Sequence, residues 1–480
     1  FVSTRPSAPD APVSSTGFAG RSLIVHPSIR TERGRIMRTI EQHAQALADG
    51  RTTSRTLVEQ CLARIADPDG EGQRAFITVH ADQARAMADA TDALRRVGRE
   101  PSRYAGIPIS LKDLFDIAGQ PTPAGSRALA DAPPAAAHAA VVQRMLAAGF
   151  VPLGRTNMTE FAFSGLGINP HYGTPRAPWD RAAGRIPGGS SSGTAVSVSD
   201  AMAVAGLGTD TGGSCRIPAA FCGIVGYKPT ARRIPITGVL PLAPSLDSVG
   251  PLAPSVGCCA VVDALLAGET PSLPKPAELD GLRLAVPETV VLDGLDATVA
   301  AAFDRALTTL SRAGARIVRR RFAEFDAIGP VNSKGGFAAS EAYAWHHTLL
   351  AEKGALYDPR IRVRIERGER MSAVDYIDVV NARRRIIASF DASTREFDAL
   401  IMPTVPIVPP CIAELDDERE YNRINMHILR NTAIGNFLDR CSISLPCHRE
   451  GEPPVGLMLM GETMGDASLF SIAAAVEVMV

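Results

Sequence analysis

Short apolar, β-branched runs alternate with stretches of helical periodicity over most of this chain, and no other feature restricts its possible folds so strongly. Residues 105–111 read as a buried strand, 141–148 as a helix and 150–154 as the next strand, and strand-like runs recur at 206–208 and 282–286. Such a chain buries its strands in one sheet and covers both faces with helices, so the expected class is α/β. Two helices come first. Leu57, Val58, Cys61, Leu62 and Ile65 fall on one face with Ser54 at the N-cap position, and a second helix covers residues 81–97. Residues 325–397 break the alternation with longer, charged helices whose apolar positions are Val374, Ile377, Val380, Ile386, Ile387 and Phe390. This stretch is expected to lie over the sheet as a cap, and further strands are expected at 399–402, 443–445 and 455–460.

Charge removes some classes of partner. The 480 residues carry 50 Lys and Arg against 51 Asp and Glu, a formal charge of −1, which gives no electrostatic reason to bind nucleic acid or an anionic membrane. No run of about 18 apolar residues occurs, so no membrane span is expected. The cysteines (Cys61, Cys215, Cys222, Cys258, Cys259, Cys411, Cys441 and Cys447) lack C-x-x-C pairs and zinc-site spacing, so they read as buried thiols in a reducing, cytoplasmic setting, with no metal and no cofactor. Residues 1–36, rich in Ser, Pro, Gly and Arg, read as a disordered leader, with residues 37–480 forming one domain.

Three segments carry chemistry. In Ile107-Pro-Ile-Ser-Leu-Lys112-Asp113 a lysine ends an otherwise apolar strand. Loss of hydration there lowers its pKa and makes it a base, and from the strand alone a snorkelling lysine with an exposed head fits as well. Pro187-Gly-Gly-Ser-Ser-Ser-Gly193 can turn tightly and gather hydroxyls beside a helix start, or be a flexible loop. Gly208-Thr-Asp-Thr-Gly-Gly-Ser214-Cys-Arg-Ile-Pro218 offers a row of N–H groups on small residues, suited to a developing oxyanion. The phosphate-loop pattern G-x-x-x-x-G-K-[ST] is absent, and Lys228 comes too late to supply it.

Taken together, residues 106–119, 154–180, 188–197 and 206–230 resemble the amidase signature family, and the likeness runs from about Met37 to the Pro454-Val-Gly-Leu-Met-Leu-Met-Gly461 run. The resemblance implies an amidase signature fold, a central mixed β-sheet with helices on both faces, and a Ser-cis-Ser-Lys triad. Position by position it places the base on Lys112, the cis-serine on Ser190 with a cis Gly189–Ser190 peptide, and the nucleophile on Ser214. It places the oxyanion hole on the backbone of Thr211, Gly212, Gly213 and Ser214, and supporting roles on Ser191, Asp210 and Arg216. Ala177, Thr194 and Cys215 depart from the usual residues, at positions that touch packing more than chemistry.

The implied activity is a serine amidohydrolase that cleaves C–N acyl bonds of amides, anilides or carbamates. The alternative is the A subunit of a tRNA-dependent amidotransferase, a glutaminase needing partner subunits. The expected partner is a small-molecule substrate, with the protein a monomer or homodimer. Specificity is expected from residues 325–397 and from loops near Tyr172, residues 158–163 and Cys441.

Overall fold

The computed structural model describes residues 36–480 together with Ile29–Arg30. The expectation of a disordered leader therefore lies outside the described residues, except that β1 (Ile29–Arg30) pairs antiparallel with β2 (Ile36–Met37).

Eleven strands form one sheet. In chain order they are β3 (Phe76–Val79), β4 (Pro108–Lys112), β5 (Val151–Thr156), β6 (Ala205–Thr209), β7 (Val225–Lys228), β8 (Val249–Ala253), β9 (Arg283–Pro287), β10 (Arg316–Arg320), β11 (Ala399–Pro403), β12 (Ser442–Pro446) and β13 (Gly456–Met460). Across the sheet they run β10-β9-β11-β13-β12-β7-β8-β6-β4-β5-β3. The sheet is mixed, as expected: β4 lies parallel to both β5 and β6, whereas β12 lies antiparallel to β7 and β13.

Side-chain alternation along β4 decides which face receives the chemistry. Ile109 and Leu111 enter the largest apolar cluster, while Ser110 faces the helix Ser192–Ser199 and hydrogen-bonds Ser197 Oγ at 2.8 Å. That helix approaches β6 closely because Gly206 and Gly208 carry no side chain. A Cβ at Gly206 would lie 2.3 Å from Thr194 Cγ2, and one at Gly208 2.7 Å from Ser191 Oγ.

One cap differs from expectation. The helix Ser54–Ile65 is capped by Thr53, whose hydroxyl accepts from Thr56 N–H, and Ser54 is the first helical residue, its hydroxyl donating to the Gly106 carbonyl at 2.9 Å. Extended Thr53 satisfies the free N–H, so Ser54 is released for a tertiary contact.

The segment expected as a cap contains the helices Ala323–Val331, Gly336–Lys353, Pro359–Glu366 and Ala373–Thr394. Phe325, Phe337, Val379 and Phe390 pack with Ala285 of β9 and Leu400 and Met402 of β11. Of the apolar positions picked out in sequence, Val374 and Ile377 are exposed, at 67% and 56%, because the first turns of the last helix direct Tyr376 toward this cluster and leave those two on the outer face. All eight cysteines are free, and each is buried except half-buried Cys411. No helix among the described residues is long and apolar enough to cross a membrane.

Leu459, fully buried on β13 with neighbours Ile401 and Ile443 in register, tests this arrangement. Leu459→Ala is expected to cost about 2–5 kcal/mol, read as a lower urea midpoint. An unchanged midpoint would remove β13 from the core.

Candidate active site

The three chemistry-bearing segments meet at the C-terminal ends of β4 and β6. Lys112 closes β4 and is wholly buried. Its Nζ lies 2.7 Å from Ser190 Oγ and 2.7 Å from Thr209 Oγ1 at the end of β6, with no carboxylate in ion-pair contact among the described residues. Burial holds the Lys112 pKa down at about 7, while Cys215, Asp210 and Asp247 pull weakly the other way. A snorkelling head is therefore not what the chain builds.

The Gly189–Ser190 peptide is cis. The Ser190 carbonyl accepts from Thr159 N–H at 3.1 Å, and Gly189 N–H donates to the Gly165 carbonyl at 2.7 Å. The next residue joins this loop to the second block: Ser191 N–H donates to the Ser214 carbonyl at 3.3 Å, and its hydroxyl donates to the Thr209 carbonyl at 3.4 Å. Ser214 is 4% exposed, and its hydroxyl makes no hydrogen bond among the described residues.

Asp210 shapes the turn that carries Ser214. Its carboxylate accepts from Gly213 N–H at 2.8 Å, from Cys215 N–H at 3.1 Å and from the Arg216 guanidinium through Nε at 3.0 Å and Nη2 at 2.8 Å. Burial pushes the carboxyl up, and Arg216, Lys228 and Asn436 more than reverse this, holding it at about 2. The N–H of Gly213 is thereby taken. Of the four groups expected to form the oxyanion hole, Thr211, Gly212 and Ser214 keep theirs unpaired among the described residues. Gly213 has φ of 135°, and a Cβ there would lie 2.2 Å from Thr432 Oγ1, so only glycine fits.

Sequence reasoning missed several neighbours. Thr209 sits inside the second Gly-rich block, with nothing in its spacing to mark it. Thr432, which donates to the Gly212 carbonyl at 2.6 Å, and Asn436, which donates to the Asp210 carbonyl at 2.9 Å and accepts from Arg216, share one face of the helix Glu418–Phe437. Asp247 accepts from the Thr211 hydroxyl at 2.5 Å and from the N–H groups of Leu242 and Ala243. A small cavity of about 10 Å³ lies beside Thr209, Thr211 and Asp247, walled by Leu114, Ala162, Ile236, Leu240 and Val249.

The loop over residues 158–163 does reach this cavity, through Ala162. Phe161 and Ala162 both adopt positive φ, 50° and 60°, uncommon outside glycine. Cys441 does not reach it. It is buried elsewhere, with its thiol on the Glu462 carbonyl. Next to the loop, Arg364 is 9% exposed and donates to the Phe163 carbonyl at 3.3 Å, with no carboxylate partner among the described residues. Its Nε is unpaired, as is Nδ2 of Asn425, whose Oδ1 accepts from Ser164 Oγ and Gly165 N–H.

The family model described as Amidase matches residues 56–470. A 2-amino-5-chloromuconic acid deaminase from Comamonas testosteroni is 37% identical over 447 residues, covering 92% of this chain and 96% of that protein. The A subunit of a glutamyl-tRNA(Gln) amidotransferase from Anaeromyxobacter dehalogenans is 37% identical over 467 residues, covering 88% of this chain and 92% of that protein. A solved structure of an amidase superposes with a TM-score of 0.84 at 30% identity, covering 92% of this chain and 99% of that one.

Asp210→Ala leaves a wholly buried guanidinium without its carboxylate and three backbone N–H groups without an acceptor. It is expected to cost about 3–5 kcal/mol, seen as a lower unfolding midpoint, and an unchanged midpoint would show that the pair does not organise this turn.

Proposed function

The chain belongs to the amidase family, and we propose that it hydrolyses the C–N bond of a small amide, anilide or carbamate through an acyl-enzyme on Ser214. The observation that carries this reading is a lysine wholly buried, held near pKa 7 by desolvation, with its amine 2.7 Å from Ser190 Oγ.

Neutral Lys112 takes the proton of Ser190, and Ser190 takes that of Ser214. The Ser214 oxygen adds to the acyl carbon, and the oxyanion meets the free N–H groups of Thr211, Gly212 and Ser214. As the tetrahedral adduct collapses, Ser190 protonates the departing nitrogen and recovers a proton from Lys112. Water then adds to the acyl-enzyme by the same relay, releasing the acid and restoring Ser214. In this reading Ser191, Asp210 and Arg216 position the turn without touching the reacting atoms.

The substrate itself carries a carboxylate. Arg364 supports this: a buried cation with no carboxylate in contact among the described residues is costly, and one with an unpaired Nε, set beside the loop that lines the cavity, is satisfied by an anionic ligand. The Comamonas relative is named for an acid. A second reading follows from the amidotransferase relatives: a glutaminase that acts with partner subunits. The two separate when the purified chain is assayed alone, since the first predicts amide hydrolysis without a partner and the second glutamine hydrolysis that requires one.

Ser214→Ala is expected to lower kcat roughly 10⁴-fold or more, and wild-type turnover by that variant would end the proposal. For the wild-type enzyme, kcat/KM should rise with pH through about 7, because the proton lost there is the one on Lys112. A profile falling across that range would exclude Lys112 as the base. Arg364→Gln should raise KM about tenfold or more for amides bearing a carboxylate and leave neutral amides unaffected, and an equal change for both would reject the carboxylate assignment.

A further inference from the structure

A second cavity, of about 450 Å³, lies away from the catalytic residues, between the helices Ile40–Ala48 and Ser54–Ile65 and the turn that leads into β6. That volume falls within the roughly 300–1,000 Å³ usual for small-molecule sites. Its floor is apolar, formed by Leu57, Cys61, Val198 and Val204. Its polar wall is of one sign: Arg38, Arg64 and His43 line it, and no acidic side chain does. Neither arginine has a carboxylate partner among the described residues. Arg64 spends one N–H on the Ala201 carbonyl at 2.8 Å, and Nδ1 of His43 is buried and unpaired.

Two guanidinium groups with no carboxylate partner among the described residues, over a hydrocarbon floor, define the ligand by its chemistry. The charged end must be an anion that accepts several N–H bonds, and the remainder must be apolar enough to pack against Leu57 and Val204. We propose that this cavity is a binding site for a small organic carboxylate with an aryl or alkyl body, distinct from the catalytic centre.

The separation is built into the helix Ser192–Ser199. Its N-terminal end follows Ser190 and Ser191, and the Ala201 carbonyl held by Arg64 lies just past its other end. Eight residues of helix span about 12 Å. Ala201 has a φ of 54°, unusual for alanine, so Arg64 caps a turn that is not locally preferred. Binding at this cavity therefore leaves the Ser190 and Ser214 hydroxyls free, and the carboxylate is not competitive with substrate. His43 reports on it. Burial, followed by Arg38 and Arg64, lowers its pKa to about 4, and an anion between the arginines offsets the last two causes.

Benzoate and inorganic phosphate serve as probes, titrated into the full chain by calorimetry, with histidine imidazole resonances followed by NMR. The expected result is saturable benzoate binding that is weakened roughly tenfold or more by Arg38→Gln and by Arg64→Gln, unchanged in Ser214→Ala, and accompanied by a shift of the His43 signals. Phosphate, which cannot use the floor, should bind more weakly. Arg64→Gln also removes the Ala201 contact, so exposed Arg38 supplies the variant that leaves the fold intact. Benzoate binding that survives Arg38→Gln, that competes with substrate, or that is matched by phosphate would overturn the assignment, as would no binding at all.

Discussion

A carboxylate removed from water must be surrounded by donors, and Asp210 meets that demand with the backbone of the very turn that holds Ser214. Gly213 and Cys215 donate to it from the chain, Arg216 from a bidentate guanidinium, and Asn436 from a distant helix. Because Asp210 and Arg216 are both wholly buried, this pair cannot relax into solvent without unpairing the other. The turn has one low-energy shape, in which Gly213 points its N–H inward and the N–H groups of its neighbours stay available. A polar network that looks structural thus decides which N–H groups of the turn stay unpaired.

The same burial acts on Lys112 with the opposite result. Asp210 has a cation in contact and stays charged, whereas Lys112 has only hydroxyls in contact and is easily discharged. Two groups in one enclosed region are driven to opposite protonation behaviour by what touches them. Thr209 is part of this balance: its hydroxyl orients the amine yet adds no charge that would hold the proton.

Much of this was legible in the sequence because it is local. The strand ending in Lys112, the two Gly/Ser blocks and the alternation of elements all lie within short windows, and the sheet, seven of its strands and the neighbourhood of Lys112, Ser190 and Ser214 followed from them, whereas β3, β7, β8 and β10 were not marked by their sequence. What escaped was long-range. Asn436 and Thr432 sit on an ordinary amphipathic helix, and nothing in its pattern says that one face will meet residue 210. The cap falls on Thr53 and not on Ser54 because the two are chemically alike as caps, and only the Gly106 carbonyl separates them. Val374 and Ile377 carry a helical apolar spacing that the fold leaves uncovered, which periodicity cannot reveal. The hydrogen bond that withdraws Gly213 from the N–H row is also a property of the folded turn, since all of its neighbours look equivalent in sequence.

The order of the sheet adds a consequence in time. Strand β13 joins β11 to β12, and β12 is the link to β7, so half of the sheet is completed by residues near the end of the chain. Asn436 and Thr432 belong to that same late stretch, although the Asp210 and Gly212 groups they hold come from the first half. On a ribosome, which makes a chain from its N-terminus, Lys112, Ser190 and Ser214 emerge well before the partners that brace their turn. Some 220 residues separate Ser214 from Thr432 and Asn436, so the turn at residues 210–214 is made long before the side chains that hold its carbonyls.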